Sequence, residues 1–107
     1  MPTAAIPLRR HIRYKGRWGY VVTAPGPDRV PLWDCYRAAS GDHYNDTTGC
    51  GEDTPAGLVG YLFTTPQPGT HPLYRCAWET RPGRINHITG SDCAELPTEA
   101  LLGYAYD

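Results

Sequence analysis

The sequence predicts an all-β domain of internally repeated units with pseudo-threefold, trefoil-like closure. The main observation is a repeat. The pair Gly-Tyr occurs at residues 19–20, 60–61 and 103–104, and Pro-Leu-aromatic occurs at 31–33 and 72–74. Matching residues of successive copies are 41 to 43 positions apart. Repeats of this length are small structural units that cannot bury a core alone. The 12 glycines and 11 prolines are spread along all 107 residues, which favours short strands and tight turns over long helices.

The four cysteines predict two disulfides. None of them has the short Cys-x-x-Cys spacing that a structural zinc site uses. Four cysteines allow three connectivities. Each unit should be cross-linked in the same way, which favours Cys35–Cys50 and Cys76–Cys93. Each bond would close a loop of about 15 residues and stabilise the fold by about 3 kcal/mol in the chain-entropy model.

The composition is that of an ordered domain short of aliphatic residues. Leu, Ile, Val and Phe together number 17, whereas there are eight tyrosines and three tryptophans. We therefore expect a core of aromatic rings and disulfides. A net charge of −1 argues against a nucleic-acid partner. The basic stretch at residues 9–17 is interpreted as a solvated strand face. No segment is long and apolar enough to span a membrane.

The first part of the chain reads as strands separated by turns. Residues rich in β-branched and aromatic side chains form the strands, and Gly, Pro, Asp and Ser mark the turns. Strands are predicted at residues 6–12, 18–23 and 30–36, with turns at 24–28 and 39–42, a short strand from residue 43 and a loop at 47–57.

The second part repeats this order. Strands are predicted at 58–64 and 73–78, with a turn at 66–69. One helical turn is expected within residues 91–102, with Ser91 or Asp92 as its cap.

The chain is expected to form one domain, residues 1–107, with full units at 19–59 and 60–102. A third unit would be split between the termini, as residues 103–107 and 6–18. Residues 103–107 would then lie beside residues 6–10, and closure would remove exposed sheet edges. A simple open sandwich is the alternative.

The repeated strings resemble a family of secreted bacterial and fungal repeats of unknown function. The resemblance rests on residues 60–75, with Gly-Tyr, two apolar residues, Thr, Pro-Gly and Pro-Leu-Tyr-Arg, and on Gly-Asp-His-Tyr at 41–44. It covers about residues 18–107, and the cysteine pairs resemble an actinobacterial variant. The second unit departs from the pattern at residues 84–89. The resemblance implies an accessory binding or adhesion role and supplies no ligand.

Polar pairs at matching positions of the two units are the candidate ligand-binding residues. Such side chains could bind a hydroxyl or carboxylate, or they could hold the turn after the Pro-Leu strand. Aromatic residues at non-repeating positions could stack on a sugar, whereas repeating ones favour the core. The predicted site comprises Asp42, His43 and Tyr44 in one unit and Trp78, Asn86 and His87 in the other.

Catalysis and metal binding have little support in the sequence. No motif for a hydrolase nucleophile, a metalloprotease or a phosphate loop is present. The four histidines lack the close spacing of zinc ligands, and no calcium-loop motif occurs. Residues 45–47 match the glycosylation sequon. The sequence therefore predicts a protein that is not an enzyme and that needs no cofactor.

The leading hypothesis is a secreted, lectin-like module that binds an extracellular glycan. The alternative is a module that binds a secreted protein, such as a protease inhibitor presenting residues 24–29 or 66–71. Residues 1–5 lack the apolar stretch of a signal peptide, so a removed export signal or a longer secreted parent is expected. The sequence leaves the oligomeric state open.

Overall fold

The computed structural model describes residues 5–7, 14–15 and 19–107, which form nine strands joined by turns. No helix occurs within these residues, and the predicted all-β class is confirmed. All pairings are antiparallel except that of the second strand with the eighth. The strands are β1 (Ala5–Pro7), β2 (Tyr14–Lys15), β3 (Tyr20–Val22), β4 (Arg29–Arg37), β5 (Asp42–Asp46), β6 (Thr54–Phe63), β7 (Thr70–Arg81), β8 (Arg84–Gly90) and β9 (Thr98–Tyr106).

Three strands, β3, β6 and β9, each begin at or contain a Gly-Tyr pair, and each pairs with the other two. In every one of these contacts, the tyrosine of one strand lies opposite the residue two positions beyond the tyrosine of another. The opposed pairs are Val22 with Tyr61, Phe63 with Tyr104, and Tyr106 with Tyr20. The repeated dipeptide therefore marks the place where the three strands meet.

The glycines of these pairs are required because neighbouring strands approach too closely for a side chain. A Cβ on Gly60 would lie 2.9 Å from the carbonyl oxygen of Val22, and one on Gly103 would lie 2.8 Å from that of Phe63. Both glycines also have φ values that L-residues rarely adopt, 158° and 155°. Gly19 is required for the same steric reason, since a Cβ added to it would lie 2.6 Å from the Tyr106 carbonyl oxygen.

The two hairpins β4–β5 and β7–β8 are attached to this centre in the same register. β4 pairs with β6 so that Leu32 lies opposite Gly60, and β7 pairs with β9 so that Leu73 lies opposite Gly103. A register shift follows each leucine, because one extra residue is inserted in the partner strand. Neighbouring strands follow the order β2-β8-β7-β9-β3-β6-β4-β5, so β2 and β5 lie at its two ends.

Both predicted disulfides are confirmed. Cys35 bonds Cys50 and Cys76 bonds Cys93, each with a Cα–Cα distance of 5.5 Å. Each bond ties the loop that follows the hairpin back onto the central strand of its unit.

The central core is aliphatic, so the expectation of an aromatic core is wrong there. Its aromatic neighbour, Tyr20, has 45% of its surface exposed. The reason is strand alternation, because the tyrosine precedes a core residue and so faces the other way. A second, smaller cluster does contain aromatic rings, since Tyr44 and Trp33 pack on one disulfide, and Phe63 is buried at 4% exposure. The main cluster comprises Val21, Leu32, Leu62, Leu73, Leu102 and Ala105.

The loops before β6 and β9 differ from the predicted forms. β6 begins at Thr54, within the predicted loop. The segment predicted as a helical turn is a single tight turn, closed by a 2.9 Å hydrogen bond from Leu96 N to the Cys93 carbonyl. Asp92 does cap it, since its Oδ1 accepts from Ala94 N at 2.9 Å. The β9 strand starts two residues after this bond and leaves no room for a further helical turn.

The two termini meet through β3 instead of directly. Tyr20 pairs with Pro7 of β1 on one side and with Tyr106 of β9 on the other. Among the described residues, β3 therefore lies between the segments expected to be neighbours. Residues 8–13 and 16–18, which include most of the basic stretch and half of the expected third unit, lie outside the described residues.

Replacing Gly60 by alanine should destabilise the domain by about 2–4 kcal/mol, because overpacking adds to backbone strain. The measurement is denaturant unfolding with the disulfides intact. Gly57→Ala is the matched control, since Gly57 lies in the same strand with φ 143° but has open space around its Cα. The control should lose only about 1–2 kcal/mol. Equal losses in the two variants would show that the close approach of β3 has no cost.

Replacing Ala94 by glycine should stabilise the domain by about 0.5–1 kcal/mol, because an alanine is strained in the left-handed region. Ala94 has φ 51° and is the one described non-glycine residue with a positive φ. Gly51 occupies the same place after the other loop cysteine, with φ 58°. Gly51→Ala should therefore destabilise by a similar amount. Thermal unfolding of both variants tests the pair, and a lower melting temperature for Ala94→Gly would contradict it.

Candidate functional site

A buried polar cluster joins the two units where β5 packs against β8. Asp42, which is 2% exposed, accepts a hydrogen bond from the backbone N–H of His87 at 3.0 Å. Its other carboxylate oxygen lies 2.5 Å from His87 Nδ1. One carboxylate thus holds both the backbone and the ring of a histidine in the other unit.

The opposite side of the His87 ring contacts a second carboxylate. His87 Nε2 lies 3.1 Å from Glu99 of β9, and Arg75 Nε donates to that same carboxylate at 2.6 Å. The hydrogen bond with Asp42 raises the pKa of His87, although burial opposes this. Burial would raise the pKa of Glu99, but its bonds to Arg75 and His87 lower it. The cluster therefore favours an imidazolium between two carboxylates.

A second layer of buried hydrogen bonds lies behind this ion cluster. Asn45 Nδ2 donates to Asp34 Oδ1 at 2.8 Å, and Thr89 Oγ1 donates to Asn45 Oδ1 at 2.6 Å across the unit boundary. Asn45 is 3% exposed, and its amide nitrogen is engaged. A glycan could not be attached to this sequon in the folded protein.

Tyr44 connects the cluster to the surface. Its ring lies 5.4 Å from that of His87, and its hydroxyl donates to Asp53. Burial, together with the bond to Asp53, raises the pKa of Tyr44 to about 12. Arg37 donates to the same Asp53 oxygen from Nε and Nη2 at 3.2 and 3.1 Å, and this bond raises the pKa of Arg37.

Three of the six predicted site residues are brought together, but they face inward. Asp42, Tyr44 and His87 are 2%, 5% and 7% exposed, and Asp42 and Tyr44 each contact His87. Their donors and acceptors are used within the protein, so this arrangement can hold two units in register. A binding role for these side chains stays a prediction.

The other three predicted residues lie apart from that cluster. His43 is exposed on the opposite face of β5, with its ring 4.6 Å from that of Tyr36. Trp78 and Asn86 are partly exposed and lie opposite each other on β7 and β8. His43 and His87 occupy matching hairpin positions, yet one is exposed and one buried, because only one face of each hairpin meets the other unit.

An open groove of about 340 Å³ lies on the first unit, beside the Cys35–Cys50 disulfide. Trp33 forms an apolar wall together with Pro31 and Pro55, and Thr47 and Thr48 supply hydroxyls. Asp46 Oδ1 fixes the threonine loop by accepting from both N and Oγ1 of Thr48, at 3.1 and 3.0 Å. The groove is thus a rigid, mainly apolar surface with polar groups at one side.

The sequence did not indicate this groove, because Trp33 matches Tyr74 in the repeat and repeated aromatics favour the core. The available signal was the disagreement between the two loops. Thr47, Thr48 and Pro55 are not repeated at the corresponding positions of the second unit, residues 90, 91 and 98.

Comparison with known proteins adds no assignment. No protein-family model, curated protein or solved structure matches the chain. Within the described residues, no three His, Cys, Asp or Glu side chains are grouped as metal ligands. The same part of the chain contains no helix with the length and hydropathy needed to cross a membrane.

Raising the pH should destabilise the domain through His87. Because its folded pKa is raised, its contribution is complete below the unfolded value of about 6.5 and is lost as the pH rises through the folded pKa. Glu99 has the opposite pH dependence. Because its folded pKa is lowered, its contribution to stability is complete above the unfolded pKa and is lost as the pH falls through the folded pKa. Denaturant unfolding from about pH 5 to about pH 9 measures the slope.

The variant His87→Gln should lose this alkaline slope, whereas His43→Gln should keep it, because His43 is exposed at the matching position. An unchanged slope in His87→Gln would exclude the Asp42–His87 contact as its source.

Proposed function

We propose that this chain is a secreted, non-catalytic binding module whose ligand is a carbohydrate bound in the groove beside Trp33. The observation that carries the proposal is the groove itself, with an indole wall and two threonine hydroxyls on a disulfide-fixed loop. Ligand sites are concave, mainly apolar surfaces with a few placed polar groups. An aromatic ring covers the apolar face of a sugar, and hydroxyls bind its polar edge.

An extracellular location best accounts for the two disulfides. Both pairs are oxidised, and no described cysteine is free. Disulfides of this kind persist in oxidising compartments and are rare in the cytosol. The resemblance of residues 60–75 to secreted repeats favours the same location.

A pseudo-threefold, trefoil-like arrangement is the proposed architecture of the whole domain. Its support is the mutual pairing of β3, β6 and β9 at the three Gly-Tyr pairs. Two related hairpins are attached to this centre, and the third would be the unit split between the termini. Tyr74 stands in the second unit where Trp33 stands in the first. A second, related sugar site there would add avidity.

Replacing Trp33 by alanine should weaken binding to a cognate oligosaccharide by at least about tenfold, which is about 1.4 kcal/mol. A glycan array identifies the oligosaccharide, and calorimetry measures its affinity. When the oligosaccharide binds the wild-type protein, the amide NMR shifts of residues 47–50 should change. Trp78→Ala is the matched control, since it removes an indole at the other candidate position, and it should bind normally.

The control also separates two failures. If Trp78→Ala loses binding and Trp33→Ala does not, the protein binds sugar but the groove is the wrong site. If neither an array nor insoluble polysaccharides retain the wild-type protein, the carbohydrate proposal is wrong.

A protein partner, such as a secreted protease, is the second candidate, because two exposed proline-containing loops are fixed in shape. Arg29 Nη1 donates to the Ala24 carbonyl at 2.9 Å, and Thr70 N donates to that of Gln67 at 3.1 Å. Fixed loops lose little conformational freedom on binding. Inhibition of a secreted protease, with no sugar binding, would favour this candidate.

A further inference from the structure

A cleft of about 400 Å³ lies between the tips of the hairpins β4–β5 and β7–β8. Its walls are the turn at Ala39 and Ser40 in one unit and Gly83 and Ile85 in the other. The charged side chains that line it are both arginines, Arg37 and Arg84, one from each unit. A cleft lined by one sign of charge concentrates counter-ions.

Arg37 is positioned to present one edge of its guanidinium group. Its Nε and Nη2 donate to Asp53, and the guanidinium carbon lies 5.5 Å from the centre of the Tyr44 ring. These contacts fix the side chain and leave Nη1 to donate elsewhere. The carboxylate of Asp53 offsets part of the charge, but Asp53 is not among the residues that line the cleft.

Arg84 is tied across the cleft to the opposite turn. Its Nη2 donates to the Ser40 carbonyl at 2.8 Å, and this bond orients the guanidinium group. The nearby carboxylate of Glu79 accepts from Gly83 N at 3.3 Å. The Ser40 hydroxyl is buried and hydrogen-bonds to none of the described residues, which gives the wall an unused donor.

We propose that this hairpin-tip cleft binds an oxyanion, namely a carboxylate or sulfate group carried by a small ligand or a sugar residue. Guanidinium groups present paired N–H donors that match the oxygens of such groups. Two of them, oriented by separate contacts and facing the same space, form a preorganised site. The site does not depend on the Trp33 groove, although both together would select an acidic glycan.

The test is a titration of the intact, disulfide-bonded protein followed by amide NMR shifts. Sodium sulfate, glucuronate and glucose are the three probes. Sulfate or glucuronate should give saturable shifts at residues 37–40 and 83–85, and neutral glucose should give none there. Saturation by glucuronate alone would assign a carboxylate ligand, and saturation by sulfate alone would assign a sulfate ester or free sulfate.

Arg37→Gln and Arg84→Gln should each weaken binding by about tenfold or more. Arg29→Gln, at the opposite end of β4, is the matched control and should bind normally. Since Arg37→Gln also breaks the Asp53 pair, Arg84→Gln gives a second test that leaves that pair intact.

Three results would overturn the proposal. They are shifts that do not saturate, shifts that glucose reproduces, and binding that survives both arginine substitutions. Each is distinguishable from failure of the Trp33 groove, which is read out at residues 47–50 with neutral sugars.

Discussion

The close contact of β3, β6 and β9 is the constraint on which the rest of the structure depends. Each strand places a glycine against a backbone carbonyl of another, at 2.6 to 2.9 Å from where a Cβ would be. Backbone this close leaves no space for any side chain. Just beyond each glycine, a small or branched residue, Val21, Leu62 or Ala105, points into one shared core. The tyrosines between them face outward. The centre thus fixes which face of every attached strand is buried.

The two hairpins are attached equivalently to this centre but do not have equivalent surroundings. Asp42 and its counterpart Asn86 occupy matching positions, as do His43 and His87. The face of the first hairpin that carries Asp42 packs against the face of the second that carries His87. The two hairpins therefore bury opposite faces in this contact. A heterologous contact of this kind buries different positions in two related copies. The burial of a charged pair is offset by hydrogen bonds to both partners, and removing one partner would leave an uncompensated charge.

The two proposed binding surfaces on this scaffold lie where the two copies differ or meet. The Trp33 groove is bordered by a loop that the second unit does not repeat, and the hairpin-tip cleft draws one arginine from each unit. Repeated residues build the frame, because every copy must satisfy the same packing. Residues outside the repeat are free of that requirement. This division explains why the most regular part of the sequence carries the least information about a ligand.

The sequence by itself determined the strand-rich class, because strand and turn residues act over short separations. The repeat also indicated the cysteine pairing, because each unit should be cross-linked in the same way. The sequence placed the repeated Tyr20 in the core, but Tyr20 lies outside it, since strand alternation points the next residue inward. Only the tertiary structure decided that Asp42 faces His87 while His43 faces solvent, because that choice depends on how two hairpins 45 residues apart are packed. Neither the groove at Trp33 nor the cleft at Arg37 was predicted from the sequence, because each forms between segments that lie apart in the chain.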